Sequence, residues 1–264
     1  MNLPSNPTLT ECCSAIYSHP LARLVLGDSF HPGGLDLTTN VANMAGVHAG
    51  SRVLDGGSGR GTSAIHLAKS LGCHVTGVTL EGNGVVAGVD AARQNGVEEL
   101  TTFIQGDLLT VDLPEAAYDV VLMECVLSIL PEKPATIDRL KQALRPTGHL
   151  AITDVTVNGP IPEDLQGILA VAGCVADARS LDGYASLLEN AEFSLEHTKD
   201  ASGAVEGLLK NLQGKILMGE LAIKLGKLPI DAAQFDKAKV LFKQVQRLVS
   251  EGTLSYGVLV ARRS

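Results

Sequence analysis

The chain has 264 residues, 45% of them hydrophobic, and a formal net charge of −8. That length and apolar fraction suit a folded α/β domain with a real core and exclude a disordered chain. The acidic balance, the absence of Trp and the lack of any Lys/Arg cluster beyond Arg262-Arg263 argue against a nucleic-acid partner, which calls for basic patches and stacking aromatics.

Met1 to Thr10 carries neither a basic stretch nor an apolar one, so no secretory signal is expected. The longest mainly apolar run, Tyr118 to Leu130, contains Asp119 and Glu124 and is too short to cross a bilayer. The expectation is a soluble, cytoplasmic protein without a membrane partner.

In chain order, residues 1–48 read as an N-terminal helical lid segment, which includes the Gly/Pro loop His31-Pro32-Gly33-Gly34. Residues 49–264 read as the main domain. Ser51 to Asp55 predicts a strand, and Thr62 to Leu71 a helix. Cys73 to Thr79 is the second strand, followed by a helix from Asn83 to Asn95 that stops at Gly96. Thr101 to Gln105 and Tyr118 to Met123 are the next strands.

Pro134 suits a first helical turn, and Ile137, Leu140 and Leu144 share a helical face. Arg145-Pro146-Thr147-Gly148 is expected to break the chain before a fifth strand, Leu150 to Val155. A helix at Ser180 to Asn190 precedes a strand at Phe193 to His197. Leu254, Tyr256, Val258 and Val260 alternate, which predicts a last strand buried on one face. Alternating strands and helices imply a largely parallel sheet covered on both sides.

Between the last two strands, residues 203–250 read as an inserted helical hairpin. Val205, Leu208, Leu209, Leu212 and Ile216 recur at helical spacing; after Asp231 as an N-cap, so do Phe235, Ala238, Phe242 and Val245. The hairpin is either a packing and homodimerisation element or a substrate lid.

The densest signal is Asp55-Gly56-Gly57-Ser58-Gly59-Arg60-Gly61, at the end of the first strand. Glycines there allow positive φ and let the backbone approach a ligand, and Asp55 can accept hydrogen bonds from an ammonium group. Two readings fit. Gly59-Arg60-Gly61-Thr62-Ser63-Ala64 matches a degenerate dinucleotide fingerprint with an acid about 20 residues later at Glu81, as an NAD-binding oxidoreductase would have. Alternatively, Asp55, Gly57, Gly59 and Gly61 match D-x-G-x-G-x-G, with a second acid at Asp107.

That second pattern resembles the class I methyltransferases, which implies a Rossmann-like seven-stranded sheet with S-adenosylmethionine (SAM) as cofactor. The resemblance places the methionine moiety at Asp55, Gly56, Gly57, Gly59 and Gly61 and the adenine at Asp107 and Leu108. At the second strand's end, where the family carries a ribose-binding acid, this chain has Thr79, then Leu80 and Glu81. Either Thr79 with local backbone serves the ribose, or Glu81 does, unless Glu81 is simply a solvated acid at a helix start.

The odd cysteine count, Cys12, Cys13, Cys73, Cys125 and Cys174, argues for free thiols or soft-metal ligands over disulfides. Cys73 reads as a small buried hydrophobe. Glu124-Cys125-Val126-Leu127-Ser128-Ile129-Leu130-Pro131-Glu132-Lys133 and Gly173-Cys174-Val175-Ala176-Asp177-Ala178 resemble the two cysteine blocks of arsenite methyltransferases, and Cys12-Cys13 resembles an amino-terminal pair in bacterial members.

The resemblance implies a small-molecule acceptor, trivalent arsenic held by Cys125 and Cys174 with Cys12 or Cys13 closing the cage, since soft arsenic prefers thiolates. A further family cysteine before the first strand is replaced here by His31-Pro32-Gly33-Gly34. The alternative is an organic metabolite, quinone or lipid-like, with Glu124 as the base; structurally, Glu124 reads as a strand-end acid facing water. His31 reads as a loop histidine or a substrate-side one. No resident metal is expected.

Overall fold

The computed structural model describes residues 31–166, 175, 177–224 and 232–264. The elements are α1 Gly34–Met44, β1 Arg52–Gly56, α2 Thr62–Leu71, β2 His74–Thr79, α3 Gly82–Asn95, β3 Thr101–Gln105 and β4 Tyr118–Glu124. They continue as α4 Lys133–Ala143, β5 Leu144–Val157, α5 Leu181–Asn190, β6 Phe193–Asp200, α6 Ser202–Lys224, α7 Ala232–Ser250 and β7 Leu254–Arg263.

Local chemistry sets the boundaries. Gly72 and Gly96, both at φ +66°, end α2 and α3 in the left-handed conformation that glycine adopts without a Cβ penalty. Ser180 Oγ accepts from the Gly183 N–H and starts α5.

The seven strands form one sheet in the order β3-β2-β1-β4-β5-β7-β6. The pairs β1–β2, β1–β4, β2–β3 and β4–β5 are parallel, whereas β7 runs antiparallel to both β5 and β6. Val53, Leu122, Ala151 and Val260 bury one face under α1, α2 and α3. Leu54, Met123, Ile152 and Leu259 bury the other under α4 and α5. Because side chains alternate along a strand, Asp55 and Glu124 fall on the α1/α2 face at the carboxyl ends of β1 and β4.

The fifth strand departs from expectation: it starts at Leu144 and takes in Arg145-Pro146-Thr147-Gly148, accommodated by a register shift against β4 between Tyr118 and Val120 and by φ +66° at Thr147. Leu144 therefore begins a strand instead of ending a helical face. The last strand is also corrected, since β7 is buried on both faces from Leu254 to Ala261. Beside Leu259, small residues occupy its second face, where α5 lies close: a Cβ on Gly257 would sit 2.6 Å from Leu181 Cδ1.

The hairpin spans α6 and α7. Val205, Leu209, Phe242, Val245, Leu248 and Val249 pack with Val155, Leu254 and Tyr256 into a third cluster, and Ala238 is exposed, not inward. Asp231 lies outside the described residues. Among the described residues no helix is long and apolar enough to cross a membrane.

Depth in the sheet sets mutational cost. Leu122→Ala, at 1% exposure, should lower unfolding free energy by about 2–5 kcal/mol in urea titration, while Leu217→Ala, 69% exposed on the hairpin, should stay within about 0.5 kcal/mol.

Candidate active site

Three residues of the β1–α2 turn take positive φ, Gly57 at 85°, Gly59 at 54° and Gly61 at 80°. The turn is wedged in place. A Cβ on Gly57 would meet Val126 Cγ2 at 2.4 Å, and one on Gly61 would meet Phe103 Cε1 at 2.4 Å. The Gly57 and Ser58 N–H groups both donate to the Val78 carbonyl at 2.9 Å, and the Gly61 N–H donates to Ser58 O at 2.8 Å. A Cβ on Gly59 would meet nothing within 4 Å. The loop is thus packed at its two flanks and open at its middle, the shape of a cradle.

Asp55 stands beneath that cradle, 3% exposed. It accepts from the Ala64 N–H, yet its Oδ2 is buried with no hydrogen-bond partner. Burial first, then the neighbouring Glu124 charge, push its pKa up to about 8, with the Ala64 N–H acting the other way. A buried, unfilled acceptor beside a second carboxylate suits a cationic group such as an ammonium.

The other nucleotide-side residues line the adjoining strand ends. Thr79 is buried at the end of β2, with its hydroxyl 3.1 Å from where a Gly84 Cβ would stand, and Gly84 packs against Gly59 O. Leu80 O accepts from Gln105 Nε2 at 3.3 Å. Glu81 occupies the N-cap position of α3, half-buried, and its side chain caps nothing. Asp107 is exposed after β3, Oδ1 accepting from the Leu109 N–H at 2.9 Å, and Leu108 is buried against Gly56.

Glu124 does not face water. Its side chain is 6% exposed. Oε1 accepts from Thr38 Oγ1 at 2.8 Å and Oε2 from Ser63 Oγ at 2.5 Å, while His31 Nε2 lies 3.4 Å from Oε2 and 3.3 Å from Thr38 Oγ1. His31 Nδ1 in turn faces Pro32 O at 3.3 Å. Thr38 and Ser63, which sequence reasoning did not single out, sit 86 and 61 positions from Glu124; no local pattern encodes such a contact.

Cys125 has φ +55°, strained for a residue with a Cβ, and follows directly on β4. Its N–H donates to Thr153 O at 2.8 Å, and its Sγ lies 3.2 Å from Tyr256 Oη, which donates to Thr153 Oγ1 at 3.0 Å. With the tyrosine proton committed to Thr153, the thiol is the donor to Tyr256. Burial above all, with Asp154 and Glu124 adding to it, pushes the thiol's pKa well above the ordinary range, so it is a neutral S–H. It packs, partly buried, against the edge of the apolar cluster that contains Val155, Leu165, Leu209 and Tyr256.

Buried Asp154 fastens the loop after Cys125. It accepts from the Ser128 and Val155 N–H groups at 2.9 and 2.8 Å, and burial raises its pKa to about 6. Buried Lys133 braces the same loop, donating to Leu130 O and Asp177 Oδ2 at 2.8 and 2.7 Å. Cys12, Cys13 and Cys174 lie outside the described residues. Cys73 is buried and free, and among the described residues no cluster of three metal-ligating side chains occurs.

Residues 47–202 match a family model described as a methyltransferase domain. The chain belongs to that family. Its fold and glycine loop are those of the class I methyltransferases, whose cofactor is SAM, and this displaces the nicotinamide alternative. Among curated proteins it is similar to an arsenite methyltransferase of Halobacterium salinarum, 31% identical over 61% of this chain but only 42% of that protein. It is also similar to the 27-O-demethylrifamycin SV methyltransferase of Amycolatopsis mediterranei, 29% identical over 86% of this chain and 82% of that one.

Solved structures share the fold across nearly the whole chain. Haemonchus contortus phosphoethanolamine N-methyltransferase 2, bound to phosphomonomethylethanolamine and S-adenosylhomocysteine, has TM-score 0.81 at 16% identity, covering 99% of this chain and 61% of that one. The [4+2]-cyclase SpnF has TM-score 0.77 at 19% identity, covering 99% and 98%.

The methyltransferase chain fits SAM on its own terms, since the open Gly59 position and the orphaned Asp55 oxygen leave room and charge for a methionine ammonium. Gly59→Ala should therefore keep a near-native melting temperature, at a strain cost of about 1–2 kcal/mol, yet lose more than about tenfold in SAM affinity by calorimetry. Gly57→Ala and Gly61→Ala, which clash with Val126 and Phe103, should also lose folding.

The raised Asp55 value has a definite pH consequence. Folding holds this proton more tightly than the unfolded chain does, so its contribution to stability is complete below the ordinary value of 3.8 and is lost as pH rises through about 8. An ammonium ligand requires the ionised carboxylate. The Asp55 contribution to SAM affinity should thus grow between about pH 6 and about pH 8, with the SAM-induced thermal shift growing in parallel over that range.

Proposed function

We propose that this methyltransferase transfers the methyl group of SAM to an apolar organic small molecule, at an oxygen nucleophile. Asp55, Gly56, Gly57, Gly59 and Gly61 hold the methionine half, Thr79, Leu80 and Glu81 the ribose, and Asp107 with Leu108 the adenine. SAM supplies a sulfonium-activated methyl group. When bound, it would pass that methyl to a lone pair of the acceptor oxygen and leave as S-adenosylhomocysteine, the hydroxyl proton passing to solvent. The chain's contribution is orientation of donor and acceptor in a near-attack geometry.

The observation that carries this reading is the position of Cys125. It belongs to the apolar cluster built by the α6–α7 hairpin, at the carboxyl edge of β4, where open α/β sheets bind ligands. Hydrocarbon walls there favour a greasy acceptor. The hairpin at 203–250, with the segment before residue 49, is the proposed acceptor cover, and the rifamycin methyltransferase likeness extends through much of it.

A second reading is trivalent arsenic on Cys125 and Cys174 with Cys12 or Cys13, supported by the cysteine blocks and by the arsenite methyltransferase likeness. Against it, a soft-metal ligand must be a thiolate, and partial burial together with the nearby Asp154 and Glu124 charges disfavours that form at Cys125.

The test supplies purified protein and SAM with either an alkylated naphthohydroquinone or arsenite plus reductant, and detects methylated product by mass spectrometry. The methyl ether is expected, with Cys125→Ser retaining activity within about tenfold, since serine preserves the link to Tyr256. Methylated arsenicals from the wild type, abolished by Cys125→Ser, would establish the arsenic reading instead.

A further inference from the structure

Glu124 is buried and carries more donors than a proton-accepting base needs. Thr38 comes from α1, Ser63 from the first turn of α2 immediately after the glycine loop, and His31 from the segment leading into α1. Three side chains from two separate stretches of chain therefore converge on one carboxylate, at 2.5 to 3.4 Å. Each of its oxygens already accepts a hydrogen bond from the protein.

The same carboxylate sits on the sheet face that Asp55 occupies and is its strongest charged neighbour. Two negative groups side by side in a buried site repel unless a cation comes between or beside them. Asp55 has one oxygen left over; Glu124 has none. The division of labour follows: one carboxylate is free to touch a cation and the other is held.

We propose that Glu124 is a positioning residue for the ammonium of the cofactor's amino-acid half, acting by pinning α1 and Ser63 around the glycine loop and by adding its charge to the field at Asp55. The inference rests on SAM being the donor. It assigns Glu124 neither contact with the acceptor nor a proton-transfer step. The groups that face Asp55 from the elements around it are Glu124 from β4, with His31 behind it, and the Ala64 N–H from α2. Its partners across β2 and β4, Gly77 and Leu122, are not ionisable.

S-adenosylhomocysteine keeps the ammonium, and 5′-methylthioadenosine has the nucleoside without it, so the two ligands separate this role from general loosening. By calorimetry at about pH 8.5, Glu124→Gln should weaken S-adenosylhomocysteine by about tenfold or more while leaving methylthioadenosine within about twofold. The loss should shrink toward pH 6, because the Glu124 charge also holds the proton on Asp55. Its removal shifts the pH midpoint of S-adenosylhomocysteine binding downward.

Thr38→Val and Ser63→Ala keep the charge, so they should weaken S-adenosylhomocysteine less and leave the midpoint where it is. Their double mutant should show non-additive coupling through Glu124, a result available even if Glu124→Gln fails to fold. Equal losses for both ligands, or an unmoved midpoint in Glu124→Gln, or strict additivity in the pair would overturn the proposal. Wild-type protein that binds no S-adenosylhomocysteine would instead remove the SAM reading beneath it.

Discussion

Everything at this site depends on a carboxylate that the sheet buries and leaves half satisfied. Asp55 ends β1 beneath the glycine turn, one oxygen engaged by the Ala64 N–H and the other empty. An isolated buried charge is costly, and the chain meets that cost by keeping the proton on until a cation arrives. The glycine turn follows directly on that residue in the chain. Its flanks are locked by Val126 and Phe103, and its middle stays open.

The surrounding chemistry divides into a polar and an apolar half. Toward α1 and α2, Thr38, Ser63, His31 and Glu124 form a network with no free carboxylate oxygen. Beyond the end of β4, Cys125 packs against an apolar cluster and is tied to the sheet by its N–H and by Tyr256. The polar half suits the charged end of a donor and the apolar half suits an uncharged acceptor. Asp154 and Lys133 keep the loop between them rigid.

What the sequence disclosed was whatever is written locally. The Asp55 to Gly61 turn, the glycine stops of α2 and α3, and the alternation of strands and helices are all encoded within a few neighbouring residues, so their positions were legible. Glu124 looked like a surface acid because its partners arrive from α1 and α2, far away in the chain. The last strand looked one-sided because Ser255, Gly257 and Ala261 are poor hydrophobic markers, yet small residues are what a strand needs when α5 presses on it. At Arg145 to Gly148, turn-like composition hid a strand that simply bulges.

The antiparallel β6–β7 pair carries α6 and α7 much as a β-hairpin carries its loop. Its base is closed where Asp200 faces Gly257, and the ladder continues from there along both strands. Because that closure is made by backbone pairing, drift of sequence or length within the helices leaves the donor end of the sheet undisturbed. Such a mounting behaves as an exchangeable module: a lineage could retool what it methylates by rewriting the helices between two fixed feet, while the machinery for taking up the methyl donor is inherited intact.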